Sequence, residues 1–358
     1  MRVLTVIGNR PQFIKAAAVS GPLRARHDEV LVHTGQHHDD ELSAVFFREL
    51  GVPAPDRELG IAGGTNTSQT SRMLAALGPL VVELAPDAVL VYGDTNSTLA
   101  GALGAAQAQV PVAHVEAGMR SFDHRMPEEV NRIVADHVSD LLLCPSKTAV
   151  ANLERESPHG AVRLVGDVMV DVALTFAPAA RQRMHVLDAH GVISGEFVLA
   201  TAHRAETVDD PARLAGLVEL LLAIPAPVVL PLHPRTRGRL VDAGLLARLV
   251  DAPGVRVLGP LGYLEFTALL THARAVLTDS GGVQKEAYLA RVRCITLRDR
   301  TEWVETVAAG WNVLVDLDAA RAIEALERPT PPAHPALYGD GRAGERVAEA
   351  LEALDGAV

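Results

Sequence analysis

Cysteine is nearly absent from this chain, with two in 358 residues. Cys144 and Cys294 each sit at the edge of an apolar run. They offer neither a paired framework nor metal-ligand spacing, so both are expected as buried free thiols. Positive charge is also scarce. Lys and Arg number 33 against 44 Asp and Glu, a net charge of −11, which argues against a polyanion-binding surface and against nucleic acid as a partner. No run of about 20 apolar residues exists, so no membrane span is expected. The start, Met1 to Gly8, is a short strand pattern ending in glycine and lacks the apolar region and cleavage site of a signal peptide. The expectation is a cytoplasmic protein. Repeats and a G-x-G-x-x-G fingerprint are missing as well, which argues against a bound dinucleotide.

What is present is alternation. With 48% hydrophobic residues the chain can fill two cores, and its length suits two domains. Strand patterns at 2–7, 29–33, 88–92, 111–115, 140–144 and 162–165 alternate with helical patterns at about 12–24, 40–50, 67–85, 96–108, 128–138 and 147–155. The scheme restarts with strands at 197–201, 228–232, 255–258, 275–278 and 292–297. Helical patterns there lie at 211–223, 235–249, 263–272, 282–290 and 341–354. Such alternation predicts an α/β protein with parallel sheets covered on both faces. Two series predict two Rossmann-like domains around a cleft, 1–168 and 169–340, joined near Gly166–Asp171.

In a βα unit, reactive groups sit at the carboxyl ends of strands. Asp94 and Glu116 end two neighbouring apolar runs. Asp94 fits either a helix N-cap or a functional carboxylate. Glu116 is open in the same way, and Arg120 close behind it favours a charged pocket. Gly8-Asn9-Arg10-Pro11 turns into a helix that carries Arg10 and Lys15. Pro127-Glu128-Glu129 opens another helix. There Glu128 and Arg132, four apart, share a face, either as a local ion pair or as a carboxylate and guanidinium offered to one ligand. His203, after the first strand of the second series, can bind phosphate or transfer a proton, and His233 ends the next strand. Asp279-Ser280-Gly281-Gly282, between strand and helix, suits a phosphate, and Glu286 one turn on suits ribose hydroxyls. Arg10, Lys15, Arg120, Arg132 and Arg204 supply local positive charge. His37, His38, Asp39 and Asp40 suggest a metal, but adjacent ligands diverge and no partner spacing exists, so none is expected.

Together these motifs resemble the non-hydrolysing UDP-N-acetylglucosamine 2-epimerase family. The matching stretches are 8–15, 34–40, 91–101, 114–132, 201–206 and 279–287, in family order over nearly the whole chain. The resemblance implies a GT-B fold closing over a UDP-sugar, a last helix (341–358) that returns to the first domain, and a homodimer. It implies a reaction needing neither cofactor nor metal. The C2 proton is removed, UDP leaves by anti elimination to give a glycal, and UDP re-adds with protonation of the other face. By position, Asp94, Glu116 and Glu128 match the catalytic carboxylates, and Arg10, Lys15 and His203 match residues around the diphosphate. Ser280, Gly281 and Gly282 match the phosphate cradle, Glu286 the ribose ligand, Arg132 a UDP contact, and Phe266 a residue near the uracil. Gln36, His37, Gln69 and His233 match a regulatory UDP-GlcNAc site, but Asp40 replaces its methionine, so substrate activation is not expected. A short loop at 119–126 and the run Thr301-Glu302-Trp303-Val304-Glu305 depart from the usual pattern. They leave UDP-2,3-diacetamido-2,3-dideoxyglucuronate and UDP-glucose open as substrates beside UDP-GlcNAc. A hydrolysing epimerase, a GT-B glycosyltransferase and a UDP-sugar sensor are the competing functions.

Overall fold

The apolar runs pair into two parallel sheets in the computed structural model, which describes residues 1–36 and 50–354. The first sheet holds β1 (Arg2–Ile7), β2 (Asp28–His33), β3 (Arg57–Glu58), β4 (Ala88–Tyr92), β5 (Val112–Val115), β6 (Leu141–Cys144) and β7 (Ala161–Leu164), in the order β3-β2-β1-β4-β5-β6-β7. The second holds β8 (Val198–Thr201), β9 (Val228–Pro231), β10 (Val255–Leu258), β11 (Ala275–Thr278), β12 (Arg293–Thr296) and β13 (Asn312–Leu314), in the order β10-β9-β8-β11-β12-β13. Strand order reverses between β1 and β4 in one sheet and between β8 and β11 in the other. At such a switch point the connections leave in opposite directions and open a crevice at the strand carboxyl ends.

Two compact units follow: Met1–Leu174 joined by the chain from Ala336 onward, and Thr175–Pro335. Helices on both faces explain why the central strands read as unbroken apolar runs; all five residues of β4 are inaccessible. In the first unit, helices Asn66–Leu84 and Asn96–Gln107 bring Met73, Leu77, Ala100 and Ala105 against Val6, Val89 and Val91. Helix Ala343–Leu351 packs on helix Arg10–Arg24 so closely that a Cβ at Gly344 would lie 2.1 Å from the Ala18 carbonyl oxygen. In the second unit, Leu217, Val218 and Leu221 of helix Pro211–Ala223 share one core with Leu230 and Leu277.

The helix expected at 235–249 is two, Pro234–Asp242 and Leu246–Val250. Gly244 lies between them at φ +69°, a left-handed stop that glycine adopts without strain. Helices Val168–Arg181, Met184–Ala189, Ala205–Val208, Val304–Ala308 and Ala319–Glu327 form where no element is expected, as do β3 and β13. The helical pattern at 40–50 lies outside the described residues apart from its last residue. No described helix is long and apolar enough to cross a membrane.

Cys144 and Cys294 are buried and free, as expected. Burial pushes each thiol up to about 12, so neither supplies a thiolate near neutral pH. Ellman's reagent should therefore titrate no thiol in the native protein and both after denaturation. Rapid native reaction would show that one of these strand ends opens.

Candidate active site at two switch points

In the first unit, β1 runs into Gly8, whose Cβ would lie 2.1 Å from both Thr34 Oγ1 and Ser97 Oγ. Only glycine allows this approach of backbone to side chains. The Asn9 side chain caps the helix that starts at Arg10, with Pro11 in its first turn. The Gln12 side chain ties the turn to β4, accepting from the Gly8 amide (2.7 Å) and donating to the Tyr92 carbonyl (2.9 Å). Arg10 is half-buried at the helix start, and Lys15, one turn later, forms an ion pair with Glu116.

Glu116 is therefore served by Lys15. Arg120, expected beside it, turns away to Asp136 (2.7 Å) and Glu156 (2.6 Å), and its side chain is buried. Glu116 itself has φ +72°, a left-handed conformation unusual for a side chain of this size, of the kind that stores about 1–3 kcal/mol and clusters at active sites. Gly93 at φ +65° leaves room for the pair; a Cβ there would lie 2.9 Å from Lys15 Nζ and 3.2 Å from Glu116 Oε2.

Asp94 is not a helix cap. Thr95 caps helix Asn96–Gln107 in a capping box, and the Asp94 carboxylate pairs with Arg132. Nor does Arg132 pair with Glu128, as the four-residue spacing suggested; it pairs with Glu129 three residues back, at 3.1 Å. Glu129 is fully buried and also accepts from Ser121 N (2.9 Å), Ser121 Oγ (2.9 Å) and Phe122 N (2.8 Å). It thereby closes the loop at 119–126 and orients Arg132. Glu128 is left half-buried, with no hydrogen-bond or ion-pair partner among the described residues. Gln36 and Gln69 brace the same turn. Gln36 Oε1 accepts from Ser97 N (3.0 Å), Gln69 Oε1 accepts from Asn96 (2.9 Å), and Asn131 donates to the Asp94 carbonyl (3.0 Å). His37 lies outside the described residues.

In the second unit, the buried Asp279 carboxylate accepts from the His203 amide (3.0 Å) and the Arg204 amide (2.9 Å). This fixes the turn after β8. The His203 ring is partly exposed and lies 5.4 Å from the His233 ring; His233 caps helix Pro234–Asp242. Ser280 is the N-cap of helix Gly281–Leu289 without spending its side chain on a cap bond, so its hydroxyl and the first amides are placed for an anion. Gly281 matters here, because its Cβ would lie 3.3 Å from Trp303 Nε1 and 3.8 Å from Arg204 Nη2. Lys285, buried, holds its ammonium 4.1 Å from the centre of the Trp303 ring. Glu286 is half-buried on the same helix. Phe266 is buried in the core with Leu269 and Val276.

Sequence reasoning missed Glu129, Asp279 and the pair His114–Asp136, all of which position other groups. A glutamate three residues before an arginine was the available signal for Glu129. The other two depend on contacts between strands and helices far apart in sequence. Chemically, the first cluster offers two carboxylates with cationic partners, Asp94 on Arg132 and Glu116 on Lys15, suited to proton transfer beside developing negative charge. The second offers an anion-binding turn.

A family model described as UDP-N-acetylglucosamine 2-epimerase matches residues 23–352. The UDP-2,3-diacetamido-2,3-dideoxy-D-glucuronate 2-epimerase of Pseudomonas aeruginosa is 49% identical, over 99% of this chain and 100% of its own. The crystal structure of Methanocaldococcus jannaschii UDP-GlcNAc 2-epimerase in complex with UDP-GlcNAc and UDP superposes with a TM-score of 0.93 at 38% identity, covering 99% of this chain and 100% of that one. That of the Neisseria meningitidis enzyme bound to UDP-GlcNAc gives 0.87 at 30% identity, covering 99% and 100%.

Proposed function

Because the chain belongs to the UDP-N-acetylglucosamine 2-epimerase family, we propose that it inverts C2 of a UDP-linked 2-acetamido sugar without hydrolysis, UDP-GlcNAc to UDP-ManNAc being the simplest case. The carrying observation is at the first switch point: Asp94 on Arg132, Glu116 on Lys15, and Glu128, on the helix that carries Arg132, with no partner among the described residues. Epimerisation at C2 must break a C–H bond that no carbonyl acidifies. Coupling this to loss of UDP from C1 makes it feasible, since the electron pair leaves with a stabilised diphosphate and a C1=C2 double bond remains. Return of UDP, with a proton delivered to the opposite face of C2, completes the inversion.

Asp94, Glu116 and Glu128 carry the two proton transfers in this reading. Arg10, Lys15, Arg132 and His203 offset charge on the departing diphosphate. The Ser280-Gly281-Gly282 turn holds the phosphates, Glu286 takes the ribose hydroxyls, and Phe266 supports the uracil site through the core. The working form is a cytoplasmic homodimer, which its molar mass in solution tests. A second substrate, UDP-2,3-diacetamido-2,3-dideoxyglucuronate, is favoured by the 49% identity to the Pseudomonas enzyme. Both substrates share the 2-acetamido group and the reacting carbons.

The test is NMR in deuterated water with UDP-GlcNAc, UDP-glucose and the diacetamido uronate in separate incubations, without any acceptor. Deuterium at C2 of both epimers is expected with one of the acetamido sugars. Stoichiometric release of UDP would indicate hydrolysis instead. No exchange with any of them would overturn the proposal.

A further inference from the structure

His114 is used by none of the steps above, yet it is the only fully buried histidine among the described residues. It lies in β5, paired in register with Val91 of β4, two residues before Glu116. Its Nδ1 is 2.7 Å from Asp136 Oδ1 and its Nε2 is 2.7 Å from the Gly93 carbonyl oxygen. A carbonyl oxygen never donates. The other Asp136 oxygen accepts from the Gly118 amide (3.1 Å) and from Arg120 (2.7 Å), and the Arg120 charge favours the ionised carboxylate, so Oδ1 is an acceptor toward the ring. Both ring nitrogens therefore face acceptors, and a single-donor tautomer would set a nitrogen lone pair against an oxygen lone pair at 2.7 Å.

We infer that His114, donating from both nitrogens, is a positioning residue that clamps the Gly93 peptide and so fixes Asp94 and the Lys15–Glu116 pair. The inference rests on the reading of those carboxylates as catalytic. The Gly93 amide donates to the Val115 carbonyl (3.0 Å) while its carbonyl accepts from His114. The residue just before Asp94 is thus gripped twice by β5. Its Cα faces Lys15 Nζ and Glu116 Oε2, and the Glu116 amide is held by the Leu143 carbonyl (3.0 Å). A peptide flip at Gly93, easy for an unclamped glycine, would move Asp94 and open the space beneath the ion pair. The direction of the Asp136 carboxyl agrees. Burial would raise it, but the charge and hydrogen bond of His114, then those of Arg120, outweigh burial and hold it below the usual range.

Two substitutions separate the two ring nitrogens. His114→Gln places an amide donor near the Nε2 position and keeps the Gly93 bond. His114→Asn reaches only the Nδ1 position and keeps the Asp136 bond alone. For a clamp on Gly93, the Asn variant should lose about 10²-fold in kcat at unchanged KM and unchanged affinity for UDP, and the Gln variant should lose markedly less. Equal losses in the two variants would overturn the inference. So would a loss confined to thermal stability. In the wild-type protein, long-range ¹H–¹⁵N spectra should show hydrogens on both nitrogens of His114, assigned by its absence in either variant. A pyridine-type nitrogen would sink the clamp even if neither variant folds. If the wild type exchanges no C2 proton with any UDP-sugar, the catalytic reading fails instead, and the spectrum still decides the clamp.

Discussion

Glu116→Gln is expected to lower kcat for C2 exchange by about 10²–10⁴-fold, the range a positioned general acid or base supplies, while UDP binds as before. The amide matches the carboxylate in size, so the strand end and its left-handed backbone at φ +72° have no steric reason to move. What disappears is the charge that holds the Lys15 ammonium and the oxygen that can take or return a proton. The UDP affinity is the control, because the Ser280 turn, proposed to hold the phosphates, belongs to the second unit and its own helix. Isothermal titration with UDP and deuterium incorporation at C2, measured on one preparation, separate the two effects. Wild-type exchange in the variant would remove Glu116 from the mechanism. Parallel measurements on Asp94→Asn and Glu128→Gln rank the three carboxylates. The variant that blocks proton loss from UDP-GlcNAc yet still protonates an added glycal would identify the base for that direction.

Most of the fold was legible because each sheet is built from runs that need both faces covered, and such runs announce themselves as unbroken valine and leucine. The places where the reading failed share a cause. Arg120 was expected beside Glu116 because it follows closely in the chain, but the cation at Glu116 is Lys15, 101 residues away in sequence. Arg120 instead neutralises a carboxylate of the helix that follows. Likewise, helical spacing allowed a local Glu128–Arg132 pair, whereas the guanidinium turns to Glu129 and to Asp94, and Glu128 has no partner among the described residues. Periodicity states which residues share an element; it does not state which way a long side chain extends once a second strand end supplies a competing charge. The broken helix at Gly244 is different. A glycine inside a helical pattern is a stop signal when it takes φ > 0, and the residue was in view. β13, only three residues long and opened by Asn312, carries too little apolar pattern to be seen before its neighbour β12 is in place.

Asp136→Ala is expected to destabilise the first unit by about 3–5 kcal/mol, the effect of removing one partner from a buried charge network. The carboxylate is inaccessible and takes four roles at once. It accepts from His114 and from the Gly118 amide, it pairs with Arg120, and through His114 it ties its helix to β5, the strand that runs into Glu116. Alanine leaves the His114 ring, the Arg120 guanidinium and the Gly118 amide buried without their acceptor. Urea unfolding of wild type and variant measures the difference, and pH gives it a second signature. The folded Asp136 carboxyl lies below the usual value, and the unfolded one titrates near ~3.9. For a depressed carboxyl the stabilisation is complete above the unfolded value and is lost as pH falls through the folded one. The gap between wild type and variant should therefore be fully present above about pH 5 and narrow in stronger acid. A gap that stays constant to the lowest pH at which the wild type remains folded would mean that Asp136 acts by shape rather than by charge. The network behind Glu116 would then be a matter of packing alone.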